Sequence, residues 1–291
     1  MNMRCCRYMK FGYANASLRD NFFRVSGPLD FNDPFECRGC YIHFDEALRK
    51  YVHQNFERLR FESIRRTNST TPELQARFTE EFLFKTYFDS ASRSLDSSWI
   101  NAVNETVLML CFVKERGLKP TSDVLFWSHY ADSGKGVRIV FDLPERPRGG
   151  VYYMKEVEYC EKVPAFDCRK MDAWLQGKEF QDYLERISHV KGKAWEYENE
   201  IRMIIPRRIP EQMKRVPFAH LCPREKDGVT HYFVRINYDA IRRIDFGPHV
   251  DLKQAVRLIE DLKHEKGTGH IAFWQATLGS GSYTYIYQKV A

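Results

Sequence analysis

Strand character that fades after Ser26 and returns only at Val107 is the feature that most limits what this chain can fold into. A sheet has to be assembled from segments on either side of a long helix-patterned stretch. Before that stretch, residues 7–11 and 22–26 read as short strands around a helix at 14–21, with a turn at Gly27-Pro28. Within it, Phe44, Leu48, Val52, Phe56 and Leu59 recur at spacings of three and four and so share one helix face. Leu74, Phe78 and Phe82 repeat the pattern after Thr71-Pro72, a helix start with Pro in the first turn. After it, strands are expected at 107–113, 136–141, 151–159, 200–205, 232–236, 244–246, 271–276 and 283–287. Helices are expected at 123–130, at 171–188 with Trp174, Leu175 and Leu184 on the apolar side, and at 251–262. Asp251 and Gln254 have capping-box spacing for the last of these. The expectation is an α+β fold with a mixed, mainly antiparallel central sheet, a single domain over 1–291 carrying a helical insertion at about 44–104.

The 43% hydrophobic content includes 21 Phe and 16 Tyr, enough apolar material for one large core and no signature of disorder. The opening MNMRCCRYMK lacks a signal-peptide core, and about 18 uncharged apolar residues never occur in a row, so a cytoplasmic chain away from membranes is expected. In a reducing compartment most of the eight cysteines would be free thiols. Cys37 and Cys40 form one C-x-x-C and, with Cys5, Cys6 and His43, offer zinc-type ligands, but a single pair is weak evidence and no metal is expected. The net charge of +6 biases the chain toward phosphate-rich partners.

Three segments concentrate groups able to do chemistry. In KAWEYENEIRMII, residues 193–205, Glu196, Glu198 and Glu200 share a parity, so an extended backbone would put three carboxylates on one face, with Lys193 and Arg202 the nearest cations. A solvated strand face is the alternative. LFWSHYADSGKGVRIVFD sets Trp127, His129 and Tyr130 against the turn Gly134-Lys135-Gly136; the aromatics could stack a base and His129 could move protons near neutral pH, or the group is core packing. The spacing around Gly134 is not that of a P-loop. Asn32-Asp33-Pro34-Phe35-Glu36 offers carboxylates and an amide, or ordinary turn chemistry. G-x-G-x-x-G after a strand, G-x-S-x-G and H-E-x-x-H are all missing, which removes classical dehydrogenases, α/β-hydrolases and zinc proteases.

FNDPFE (31–36), FWSHYADSGKGVRIVFD (126–142) and KAWEYENEIRMII (193–205) together resemble a bacterial family known only as a domain of unknown function. The resemblance runs from about Arg7 to about Gly247 and is weakest over 44–104. A looser resemblance is to the mono-ADP-ribosyltransferases, through Arg7 or Tyr8 early, His129 and Tyr130 in the middle, and Glu198-x-Glu200 late; the Ser-Thr-Ser signature and an early His are missing. That likeness implies an ADP-ribosyltransferase-like sheet and NAD as substrate. Glu200 would hold the ribose and stabilise an oxocarbenium ion, and Glu198 would orient or deprotonate the acceptor. Trp127 or Tyr130 would stack nicotinamide and Arg7 would hold the pyrophosphate, with Tyr8, His129, Asn32 and Asp33 completing the NAD-binding set. Arg207, Arg208, Arg215, Arg242 and Arg243 favour RNA or DNA as acceptor, in the manner of a toxin or phage-defence effector kept silent by an inhibitory antitoxin protein. Two other readings stay open: a non-catalytic nucleotide or single-strand binding module, and a nuclease using Asp33, Glu36, Glu198 and Glu200 around Mg²⁺.

Overall fold

The computed structural model describes residues 2–37, 46–68, 71–87, 100–101, 103–115, 119–146, 152–164, 178–207 and 221–290. They fall into two compact units: Met1–Asp30 with Thr106–Val157 and Ala194–Ala291, and Phe31–Glu105 with Glu158–Lys193.

The first unit is organised by an eight-stranded sheet. Its strands are β1 (Asn2–Met9), β3 (Val107–Lys114), β4 (Val137–Pro144), β5 (Tyr153–Glu156), β8 (Glu200–Pro206), β11 (Ile241–Phe246), β12 (Ala272–Leu278) and β13 (Tyr285–Lys289), in the order β13-β12-β11-β4-β1-β3-β8-β5. Every neighbouring pair is antiparallel except β11 and β12, which α6 (Leu252–His264) joins as a parallel crossover. The central strands read as nearly continuous apolar runs, VLMLCFVK and VRIVFDLP, because both faces of the sheet are covered. One face carries Phe112, Phe141, Met203 and Phe246 and packs against Leu18 of α1 (Phe11–Asp20) and Leu258 of α6. The other carries Cys6, Val113, Val140 and Ala276 and packs against Phe126 and Trp127 of α4 (Pro120–His129). Asp251 caps α6, its Oδ1 accepting from the Lys253 and Gln254 amides at 2.8 and 3.0 Å, as the capping-box spacing required.

A second, antiparallel sheet of this unit joins β2 (Phe22–Val25), β10 (Val229–Arg235) and β9 (Leu221–Lys226). β9 was not expected from the sequence. It hairpins onto β10 through Asp227 and Gly228, both left-handed (φ 52° and 74°), the Asp-Gly pair that two-residue hairpins favour. The single strand expected at 151–159 is instead β5 in the first unit and β6 (Glu158–Cys160) in the second.

In the second unit, α2 (Glu46–Gln54) and α3 (Phe56–Arg66) bring Leu48, Val52 and Leu59 into a core with Phe78, Leu83 and Phe84, but on two helices that break at Asn55 rather than on the one helix face that the spacing of three and four suggested. Leu74, Phe78 and Phe82 do not share one helix: Thr71 and Thr79 each cap a separate one-turn piece, Pro72–Gln75 and Glu80–Phe82. β6 pairs in parallel with β7 (Val190–Gly192), preceded by α5 (Lys178–Ile187). Phe44, Trp174 and Leu175, as well as the side chain of Leu184, lie outside the described residues.

The Gly134-Lys135-Gly136 turn is shaped by backbone contact. A Cβ on Gly136 would lie 2.1 Å from the Met9 carbonyl oxygen and 2.9 Å from the backbone of Ala131, while one on Gly12 meets nothing within 4 Å. Gly136→Ala is therefore expected to cost about 3 kcal/mol or more, because backbone has to move. Gly12→Ala, inside α1, should be neutral or stabilise by up to about 1 kcal/mol. Urea denaturation of the two variants checks the contrast; equal effects would refute it.

Candidate functional site

α4 starts with Pro120 at its first turn and turns Asp123, Phe126 and Trp127 toward the sheet. Asp123 becomes the hub of a buried polar network. Its Oδ1 accepts from the Tyr8 hydroxyl and, at 3.3 Å, from Arg138 Nη1; its Oδ2 accepts from the Tyr287 hydroxyl at 2.5 Å. Arg138 Nε donates to Asp245 Oδ2 at 2.6 Å, and the guanidinium lies 4.3 Å from the centre of the Tyr287 ring. Arg243 approaches the second Asp245 oxygen at 3.0 Å, so two carboxylates face two guanidinium groups. Charges this deep persist only when paired and hydrogen-bonded. Burial raises the pKa of Asp245, opposed by Arg138 and Arg243, and raises those of Tyr8 and Tyr287.

On the same face, burial pushes the Cys6 thiol up to about 12. An unfolded Cys6 ionises from about pH 8.5 while the folded one stays protonated, so the unfolded state gives up its proton first and stability falls as pH climbs toward 12. The expected decline is up to about 1.4 kcal/mol per pH unit for this group. Urea midpoints taken between about pH 8 and about pH 11 should drop more steeply for the wild type than for Cys6→Ala; parallel curves would contradict the assignment.

The glutamates do not form the three-carboxylate strand face that their parity suggested. Residues Lys193–Glu198 wind as a 3-10 helix, Asn199 is left-handed (φ 45°), and β8 begins only at Glu200. An i→i+3 bond from the Asn199 amide to the Glu196 carbonyl (3.2 Å) closes the turn, and the Asn199 carbonyl accepts from the Lys114 amide of β3 (2.9 Å). Asn tolerates that conformation better than most residues, which lets the chain change course there. Glu196 is left exposed, while Glu198 and Glu200 are 4% and 5% exposed.

Each buried glutamate has a defined neighbour. Arg202, 0% exposed, clamps Glu200 with Nε to Oε1 at 2.8 Å and Nη2 to Oε2 at 3.4 Å. The Tyr130 hydroxyl, just past α4, donates to Glu198 Oε1 at 2.5 Å. Arg7 reaches the same neighbourhood from β1. The β1–β3 ladder is registered over only two pairs, Cys5 with Lys114 and Cys6 with Val113, and beyond them Arg7 Nη1 donates to the Cys111 carbonyl at 2.5 Å. Its Nε is buried without a hydrogen-bond partner among the described residues. Burial lowers the Arg7 pKa, against the upward pull of Cys111 and Glu200.

Of the residues singled out in the sequence, Tyr130 thus meets Glu198 and Arg7 acts on Glu200, the two glutamates lying on either side of Asn199. Tyr8 belongs to the Asp123 network instead. Trp127 is 0% exposed and donates its indole N–H to the Tyr287 hydroxyl at 2.9 Å, so the expected stacking of nicotinamide by Trp127 gives way to core packing. His129 is exposed, edge-on to Tyr130. Asn32 and Asp33 lie in the second unit, where Asp33 Oδ1 accepts from the Phe35 amide at 2.9 Å, a local turn bond. Arg242 and Arg243 are not free cations: they pair with Asp142 and with Asp245 and Glu115. Arg207 stacks on Tyr232, and Arg208 and Arg215 lie outside the described residues.

Cys5 and Cys6 fall in different core clusters, one on each face of β1, and cannot join one zinc site; Cys40 and His43 lie outside the described residues. Among the described residues no three His, Cys, Asp or Glu side chains group so as to hold a metal ion, and no helix is long and apolar enough to cross a membrane. Asp123, Arg138, Asp245 and Tyr287 were missed; the available signal was a charge inside an apolar strand, as in GVRIVFD and RRIDFG.

No curated protein and no solved structure matches this chain. Residues 126–203, which carry Tyr130, Arg138, Glu198, Glu200 and Arg202, match the family described as "Protein of unknown function (DUF2971)", so that segment of the chain is similar to a domain family of unknown function.

Proposed function

We propose that this chain is an NAD-dependent ADP-ribosyltransferase with a nucleic-acid acceptor, on a sheet of the ADP-ribosyltransferase-like type. The observation that supports it is the pair of buried glutamates on either side of Asn199, one bonded by Tyr130 and the other clamped by Arg202, within the field of Arg7. Breaking the bond from ribose C1′ to the nicotinamide nitrogen leaves the electron pair on the departing nicotinamide and positive charge on the ribose. Fixed carboxylates stabilise that charge, as in glycoside cleavage. Glu200, immobilised by Arg202, is the positioned carboxylate for the ribose. Glu198 takes the proton of the acceptor nucleophile as its bond to C1′ forms. The Arg7 guanidinium supplies a donor for the pyrophosphate, its Nε having no hydrogen-bond partner among the described residues. Acting on cellular nucleic acid, such an effector would require an inhibitory partner in its own cell.

The test incubates the full chain with adenylate-labelled NAD and separate pools of RNA, DNA and protein, for the wild type and Glu198→Gln. Transfer of label to nucleic acid or release of nicotinamide by the wild type, lost in the variant, supports the reading. NAD left intact in every pool would refute it.

A further inference from the structure

The sheet β2–β10–β9 turns Phe23, Val25 and Val234 into the core, so the alternate positions point outward. There Arg24 lies opposite Phe233, and Phe22 opposite Arg235. Arg24, Arg224 and Arg235 are exposed, and the two phenylalanines are half-buried. The Arg224 guanidinium sits between the rings, 4.9 Å from the centre of Phe233 and 5.1 Å from that of Phe22, and Arg235 lies 6.0 Å from Phe22. Arg224 meets Asp20 at 3.1 Å, whereas among the described residues Arg24 and Arg235 have no ion pair. Elsewhere in this unit Arg4, Arg19, Arg242 and Arg243 are matched by carboxylates, whereas here exposed guanidinium groups without an ion pair lie beside half-buried rings. Arg235 also lines an adjoining cavity of about 620 Å³ whose walls mix Lys266 with the carboxylates Asp20, Asp239 and Glu265, so the cavity itself is not a cationic pocket.

We infer that this face binds single-stranded nucleic acid. Its arginines take the phosphates while Phe22 and Phe233 give unpaired bases a flat apolar surface, a combination that tolerates sequence and discriminates against duplexes, whose bases are already stacked. Recognition of this kind goes beyond the transferase reading and does not depend on it.

Fluorescence anisotropy with labelled RNA and DNA of about 12 nucleotides, within the usual site size, and with the matching duplex tests this on the full chain without NAD. Both single strands should bind better than the duplex, and a preference between them identifies the natural class. Arg24→Gln/Arg235→Gln should weaken binding and reduce the slope of log K against log salt by about 1.4, the loss of two phosphate contacts. Phe233→Leu, its folding checked by circular dichroism, should weaken binding about ten-fold with the slope unchanged. Duplex bound as tightly as single strand, or Phe233→Leu indistinguishable from wild type, would overturn the inference and leave only general polyelectrolyte attraction. Binding is measured without NAD and nicotinamide release without added nucleic acid, so failure here and failure of NAD cleavage are read separately.

Discussion

Arg138→Met is expected to lower the unfolding free energy by about 3–5 kcal/mol, a large share of what a domain possesses. The side chain is 5% exposed and bridges Asp123 and Asp245, whose side chains are 9% and 0% exposed. Methionine fills much of the volume but returns no charge, leaving Asp245 with Arg243 and Asp123 with only the hydroxyls of Tyr8 and Tyr287. Uncompensated buried carboxylates cost more than the intact pair contributes. Adding Asp245→Asn should recover part of the loss, because it removes one of the stranded charges. Urea denaturation at neutral pH measures both; a loss under about 1 kcal/mol for Arg138→Met would show that water or rearrangement reaches the site.

Glu198→Gln is expected to reduce nicotinamide release by about 100-fold or more, the usual contribution of a positioned acid or base. The amide oxygen can still accept the Tyr130 hydroxyl, so the hydrogen bond survives while the basic carboxylate is lost. Glu200→Gln is a different experiment. It leaves the fully buried Arg202 beside a neutral amide, and about 3–5 kcal/mol of stability should go with the charge pair. An inactive Glu200→Gln therefore means little unless its unfolding is measured as well. Glu198→Gln with undiminished release would remove the proton-transfer role from that residue.

The strands β3, β4 and β8 were legible because a strand covered on both faces reads as a continuous apolar run, and α6 because Asp251 marks its start. The turn through Asn199 was not, since the parity of Glu196, Glu198 and Glu200 cannot tell an extended segment from a 3-10 turn that ends in a left-handed Asn. The Asp123 network draws Tyr8, Arg138, Asp245 and Tyr287 from four strands, and no local pattern links positions so far apart. Each could be noticed only as a polar residue where the period called for an apolar one. The basic face was obscured for a similar reason: composition counts arginines, but only the folded chain separates Arg24 and Arg235 from Arg242, which pairs with Asp142 across the sheet, and from Arg243, which pairs with Asp245 on its own strand.

The position of Tyr287 also sets an order of events during synthesis. Its hydroxyl completes the shell of Asp123, its ring lies against Arg138, and it accepts the indole proton of Trp127, yet it is translated about 150 residues or more after all three. A nascent chain that has already made β1, α4 and β4 holds that ion cluster open on one side until β13 leaves the ribosome. Vectorial folding of this unit is thus held back to the last strand of its sheet, and the growing polypeptide depends until then on whatever shields unfinished cores in the cell.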